Sequence, residues 1–330
     1  MRGAFPVSFR SYVIVVLCAA LPTALLGLFW PVIGITNCHG EGYRADRFLA
    51  YCESTGYGDY EHGALYYDLE PEAITTLRAA DILIFGNSRT QVAFSTHAVD
   101  AFAAAHNWSI YRLGFGFVEE SAFPERLIGR YHLRPRMIIV NADPFFTGNR
   151  SNVAGSLLSG TDWLAIYVHL LIERMAQRMQ RATCAAHLLT RLTCGDARTT
   201  YRSRIDGTWD ITYARKAEKF PVVIDPDRDL DIAPHAIAVA REFLAAAGLP
   251  PNCMVLTTVP SNFATPLLVQ KVAHALGSPL VEAPLDGLST YDLGHLDAPS
   301  AERWSALFMK EAEPLIDACM TATTTRSSPR

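Results

Sequence analysis

A serine hydroxyl is a weak nucleophile until an imidazole takes its proton and a carboxylate orients that imidazole. This chain carries the three groups in two short segments more than two hundred residues apart. The first is Ile82-Leu83-Ile84-Phe85-Gly86-Asn87-Ser88-Arg89-Thr90 and the second is Tyr291-Asp292-Leu293-Gly294-His295-Leu296-Asp297. The first reads as a continuously apolar, fully buried strand that breaks at Gly-Asn and delivers Ser88 to a helix N-terminus. Unpaired backbone N–H groups there favour a developing oxyanion. In the second, Asp292 and His295 stand three residues apart, close enough for the side chains to meet on one turn. If the segments converge, Ser88 attacks an acyl carbonyl, His295 removes its proton and Asp292 steadies the imidazolium. Taken singly, each segment equally fits a plain turn with a helix cap.

The surrounding pattern is what must position them. Strand-like runs fall at 81–85, 109–113, 137–141, 254–259 and 279–282, with helix-like runs at 70–80, 124–131, 233–247, 266–276 and 301–316 before, between and after them. Such alternation predicts a parallel sheet with helices on both faces. A helical insertion at about 155–195 interrupts it, with Leu164, Val168, Leu171, Ile172 and Met175 on one face of the run 163–192. That run suits a packing helix, a cap over the site, a partner-binding face or a membrane-surface helix.

Gly86-Asn87-Ser88-Arg89 resembles the first block of SGNH (GDSL-type) hydrolases, and Asp292-Leu293-Gly294-His295-Leu296 resembles their last. The resemblance spans roughly 80–316 and implies a three-layer α/β/α flavodoxin-like sheet without cofactor or metal. Within that superfamily the layout is similar to polysaccharide O-acetylation proteins and the D-alanyl transfer protein of teichoic-acid modification. It implies an oxyanion hole built from the Ser88 N–H and a glycine N–H, either Gly116 or Gly114 of Leu113-Gly114-Phe115-Gly116. The third block departs from the family. Where Gly-x-Asn-Asp is expected, the chain reads Val140-Asn141-Ala142-Asp143-Pro144-Phe145, which sets Phe145 at the asparagine position. Asn141, earlier, and Asn149, later, are the alternatives for the side-chain donor.

Residues 11–36 carry no charge and are long enough to cross a bilayer. Arg2 and Arg10 precede them, and Glu41 and Asp46 follow. This charge order predicts a single-pass inner-membrane anchor with tail 1–10 cytoplasmic and the rest periplasmic or otherwise extracytoplasmic. A cleaved signal peptide is the competing reading. Residues 37–80 read as a stalk or lid, 81–318 as the hydrolase-like domain and 319–330 as a disordered tail. Outside the anchor's Cys18, six cysteines suggest the pairs Cys38–Cys52, Cys184–Cys194 and Cys253–Cys319 among fifteen connectivities. Without a Cys-x-x-Cys, zinc is disfavoured.

A net charge of −4 with no basic stripe argues against nucleic acid, and there is no Gly-rich phosphate loop. The expectation is therefore a serine esterase or O-acyltransferase, with acetyl as the group moved. Its partners would be a cell-envelope or secreted glycan, or another acylated carbohydrate, and a membrane acyl-donor protein. A non-catalytic binding module of a polysaccharide assembly complex is the alternative, and a lipase the third option.

Overall fold

The computed structural model describes residues 13–18, 20–22, 46–51, 60–116, 119–185, 200–210, 219–225 and 228–324. In chain order the elements are β1 (Arg47–Tyr51), α1 (Tyr60–Tyr66), α2 (Pro71–Ala79), β2 (Ile82–Asn87), α3 (Ser88–Phe94), α4 (His97–His106), β3 (Ile110–Phe115), α5 (Ala122–Tyr131), β4 (Met137–Asn141), α6 (Asn152–Ser159), α7 (Trp163–Ala185), β5 (Thr200–Ser203), β6 (Trp209–Asp210), β7 (Phe220–Pro221), α8 (Ala233–Ala247), β8 (Met254–Thr257), α9 (Pro266–Leu276), β9 (Ser289–Thr290) and α10 (Ala298–Thr324).

Four strands form a parallel sheet in the order β3-β2-β4-β8. Their continuous Ile/Leu/Val runs are what a strand buried on both faces requires. The period-2 alternation divides each run between two cores. Leu83, Phe85, Ile138, Val140 and Leu256 join one apolar cluster with residues of α1, α2, α5, α8 and α9. Ile82, Ile84, Ile139 and Val255 join the other, with Phe94, Val99, Trp304, Phe308 and Ile316. Helices thus cover both faces. Each fully buried large side chain contributes roughly 1.5–3 kcal/mol.

β3 is an edge strand, and a small antiparallel sheet, β1-β5-β6, closes off its exposed side. Arg112 N–H donates to Asp206 O at 2.8 Å. The fully buried Arg202 donates to the carbonyls of Arg112 and Gly114 while pairing with Glu61. Edge backbone groups are thereby satisfied rather than left as a template for another strand.

The structure revises several expectations. Residues expected as a stalk or lid pack into the domain, since Phe48, Leu49, Tyr60, Ala64 and Leu65 are fully buried. Burial of those apolar groups outweighs the polar, glycine-dotted composition of the segment around them. The expected strand 279–282 is reduced to one parallel bridge, Leu256 to Leu280. The expected disordered tail from 319 begins as the last turns of α10. On α7 the buried face is Ile166, Leu170, Glu173 and Gln177, while Leu164, Val168 and Met175 are exposed. Among the described residues no helix is long and apolar enough to cross a membrane, and most of the expected span 11–36 lies outside them. The Cys38–Cys52 and Cys184–Cys194 pairings also fall outside what is described.

Cys253 and Cys319 form a disulfide that ties the start of β8 to the end of α10 across 66 residues of sequence. Closing a loop of that length removes about 4 kcal/mol of unfolded-chain entropy. The Cys253→Ala/Cys319→Ala protein should accordingly unfold at lower denaturant, with a loss of about 2–4 kcal/mol measured by urea titration. An unchanged midpoint would show that α10 is held by packing alone.

Candidate active site

Ser88 lies at the C-terminal end of β2, the first strand of the parallel sheet, which pairs with β3 on one side and β4 on the other. The connection from β2 runs to β3 on one side and that from β4 runs to β8 on the other, and this divergence between β2 and β4 opens a crevice beyond the strand ends. Gly86 makes the bend into it. Its φ is +153°, and a Cβ there would run into the Thr90 side chain. Asn87 caps α3, its Oδ1 accepting from Arg89 N–H at 3.0 Å, so Ser88 becomes the first helical residue.

The C-terminal segment arrives over the same crevice. Ser88 Oγ lies 2.7 Å from His295 Nε2, and His295 Nδ1 lies 2.7 Å from Asp292 Oδ2. A carboxylate only accepts, so Nδ1 carries the proton and Nε2 is the free base facing the hydroxyl. The other Asp292 oxygen accepts from the N–H groups of Gly294 and His295, at 3.0 and 2.8 Å. Burial would raise the Asp292 carboxyl, but the hydrogen bonds from the His295 ring and from the His295 and Gly294 N–H groups hold it below the usual carboxylate range.

Two anchors hold this loop. β9, just before it, pairs with β7. Just after it, Asp297 caps α10 by accepting from Ser300 N–H at 2.9 Å, and it also meets Ser289 Oγ and Lys219 Nζ. Burial of Asp297 is outweighed by those donors, which bring its pKa down to about 2. Tyr291 stacks on the His295 ring at 5.5 Å and 12°.

The remaining site candidates part company. Asn87 pairs with Phe115 in the β2–β3 register, so Ser88 and Gly116 each directly follow the ends of adjacent strands. Gly116 sits in a loop fastened from behind. Its carbonyl accepts from Glu119 N–H, Glu119 binds Ser151, and Glu120 binds Thr147 and Asn149. Gly114 lies inside the sheet, and its N–H already donates to Gln91 Oε1 at 3.0 Å. Asn141 is fully buried, and its amide bridges strand ends: Oδ1 accepts from Val259 N–H at 3.0 Å and Nδ2 donates to Asp143 O at 3.3 Å. Both are corrections with one cause. A polar group within a buried strand is claimed by the nearest partner, since leaving it unmade is costly. Phe145 is in the core, and the Asn149 amide is engaged by Glu120 and Thr147.

One cluster escaped the sequence reading. Arg89 Nη1 donates to Asp143 Oδ2 at 2.7 Å, to Ser261 Oγ at 3.2 Å and to Phe263 O at 3.4 Å. Thr265 Oγ1 donates to the other Asp143 oxygen. Burial pushes the Asp143 carboxyl up, against the pull of Arg89 and Thr265. The cluster ties the segments following β2, β4 and β8 together directly beside Ser88. An arginine immediately after the serine, with an aspartate just past the end of a strand, was the available signal.

A cavity of about 600 Å³ opens along the same strand ends, lined by Val222, Thr258, Pro260, Pro266, Leu285 and Leu288 among others. Neither Ser88 nor His295 lines it. Pro260 is one residue from Ser261, so the cavity flanks the crevice rather than filling it. Comparisons of the chain with protein-family models, with curated proteins and with solved structures return no match.

Proposed function

We propose that the chain is an SGNH-type serine acyl-transfer enzyme, with the three-layer flavodoxin-like architecture of that superfamily, acting outside the cytoplasm on an envelope or secreted glycan. The observation that carries this reading is the unbroken Ser88–His295–Asp292 hydrogen-bonded chain at the C-terminal edge of a parallel sheet. Ser88 Oγ attacks the acyl carbonyl as His295 Nε2 takes its proton. The imidazolium, held by Asp292, then returns that proton to the leaving oxygen. The Ser88 and Gly116 N–H groups are the donors assigned to the oxyanion. A sugar hydroxyl or water, deprotonated by the same imidazole, releases the acyl group from Ser88. The uncharged run 11–36 would keep the domain at the membrane.

The unfilled asparagine position in the third block favours a second reading, a binding module of a polysaccharide assembly complex with the hydrolase fold reused. A missing oxyanion donor costs about 3–4 kcal/mol of transition-state stabilisation. A fluorophosphonate probe separates the two. The enzyme is labelled at Ser88, and labelling is lost in His295→Ala although the serine remains. A wild-type protein that resists the probe fits the binding module.

A further inference from the structure

α7 is apolar on two opposite sides. Ile166 and Leu170 face the core, with Glu173 and Gln177 buried on the same side. Leu164, Val168 and Met175 are each about half exposed, at 57%, 46% and 55%. At about 100° per residue, this exposed stripe lies roughly 180° around the axis from the buried one. Leu171 and Ile172, half-buried, border it. A surface helix normally turns a polar face outward, so this stripe is built to be covered.

What covers it follows from where α7 sits. Gln177 Oε1 accepts from Leu49 N–H at 3.1 Å, so the helix is bonded to β1, the first strand after the uncharged run 11–36. From Ile35 to Asp46 about ten residues intervene, a reach of at most about 40 Å fully extended. α7, with 23 residues, is about 35 Å long. A chain anchored by residues 11–36 therefore keeps Asp46, just before β1, within about 40 Å of the bilayer, and α7 is bonded to that strand. On one flank of α7, exposed Arg178 lies roughly 60° and half-buried Arg174 roughly 100° around the axis from the stripe, and Trp163, 57% exposed, stands one residue before Leu164. Basic groups beside an apolar stripe, with an aromatic at its end, match an anionic lipid surface.

We infer that the outer face of α7 lies on the membrane, with Leu164, Val168 and Met175 in the acyl boundary and Arg174 and Arg178 against anionic headgroups. This rests on the anchor reading of residues 11–36, not on the acyl-transfer reading. It fixes which side of the domain faces the bilayer.

The test uses the full wild-type chain in phosphatidylcholine vesicles, with and without phosphatidylglycerol. The lipid carries a diazirine in its acyl chain, and carbene adducts are mapped by mass spectrometry. Adducts on α7 at Leu164, Val168 and Met175 should exceed those on the exposed Lys310 and Glu311 of α10 several-fold. They should rise with phosphatidylglycerol, and Arg174→Glu/Arg178→Glu should abolish that rise. Adducts confined to residues 11–36 would overturn the inference while leaving the anchor in place. A chain that takes up no lipid label anywhere would overturn both. No adducts on α7, together with a dimeric mass of the full chain by analytical ultracentrifugation, would assign the stripe to a second copy.

Discussion

Ser88→Ala should lower acyl transfer or hydrolysis by a factor of about 10⁴ or more, because nucleophile and base act as a unit. The fold should survive the change. The α3 cap is the Asn87 side chain, so the Ser88 hydroxyl bears little of the helix's stability. His295→Ala should cost about as much, and the double variant little more than either alone. Asp292→Asn should cost less than either. Its amide still accepts from the Gly294 and His295 N–H groups, but it loses the negative charge that steadies the imidazolium and no longer selects the tautomer. Turnover of a chromogenic acetyl ester by the four variants, with circular dichroism to check folding, decides the matter. A Ser88→Ala protein that keeps wild-type turnover removes Ser88 as the nucleophile.

The second large effect is on stability. Arg89→Leu leaves the fully buried Asp143 carboxylate without its cation and should cost about 3–5 kcal/mol. Arg89→Leu/Asp143→Asn should recover a substantial part of that loss, because no uncompensated charge remains. Urea titration of the wild type, both single variants and the double variant closes the cycle. If the single and double losses simply add, Arg89 and Asp143 are not coupled and the cluster does not tie the three strand ends together. The pair abuts Ser88, so Arg89→Leu should also depress turnover at temperatures where the protein is still folded.

The strands were legible because a strand buried on both faces must be apolar throughout, and Ile82–Phe85 and Met137–Val140 are. The glycine break before Ser88 was legible for a local reason, since the bend at Gly86 needs a backbone that a side chain would obstruct. Residues 46–80 misled because polar and glycine-rich composition suggests a solvated segment. Tyr60, Ala64 and Leu65 show their burial only once a core exists to receive them. The face of α7 misled for a related reason. Apolar residues lie on both its sides, and periodicity cannot say which side the domain takes.

By itself the sequence determined the chemical groups, their chain order and the elements that carry them, because strand burial, glycine breaks and helix caps are local properties. Tertiary structure decided the rest. It brought Ser88 to 2.7 Å from His295 across a sequence separation of 207. It withdrew Gly114 and Asn141 by giving their polar groups to Gln91, Val259 and Asp143. It also assembled the Arg89–Asp143 cluster from three strand ends. The physical reason is the same in each case. A hydrogen bond between distant segments depends on register and crossover, and these are fixed by how both faces of the sheet pack rather than by any short stretch of chain.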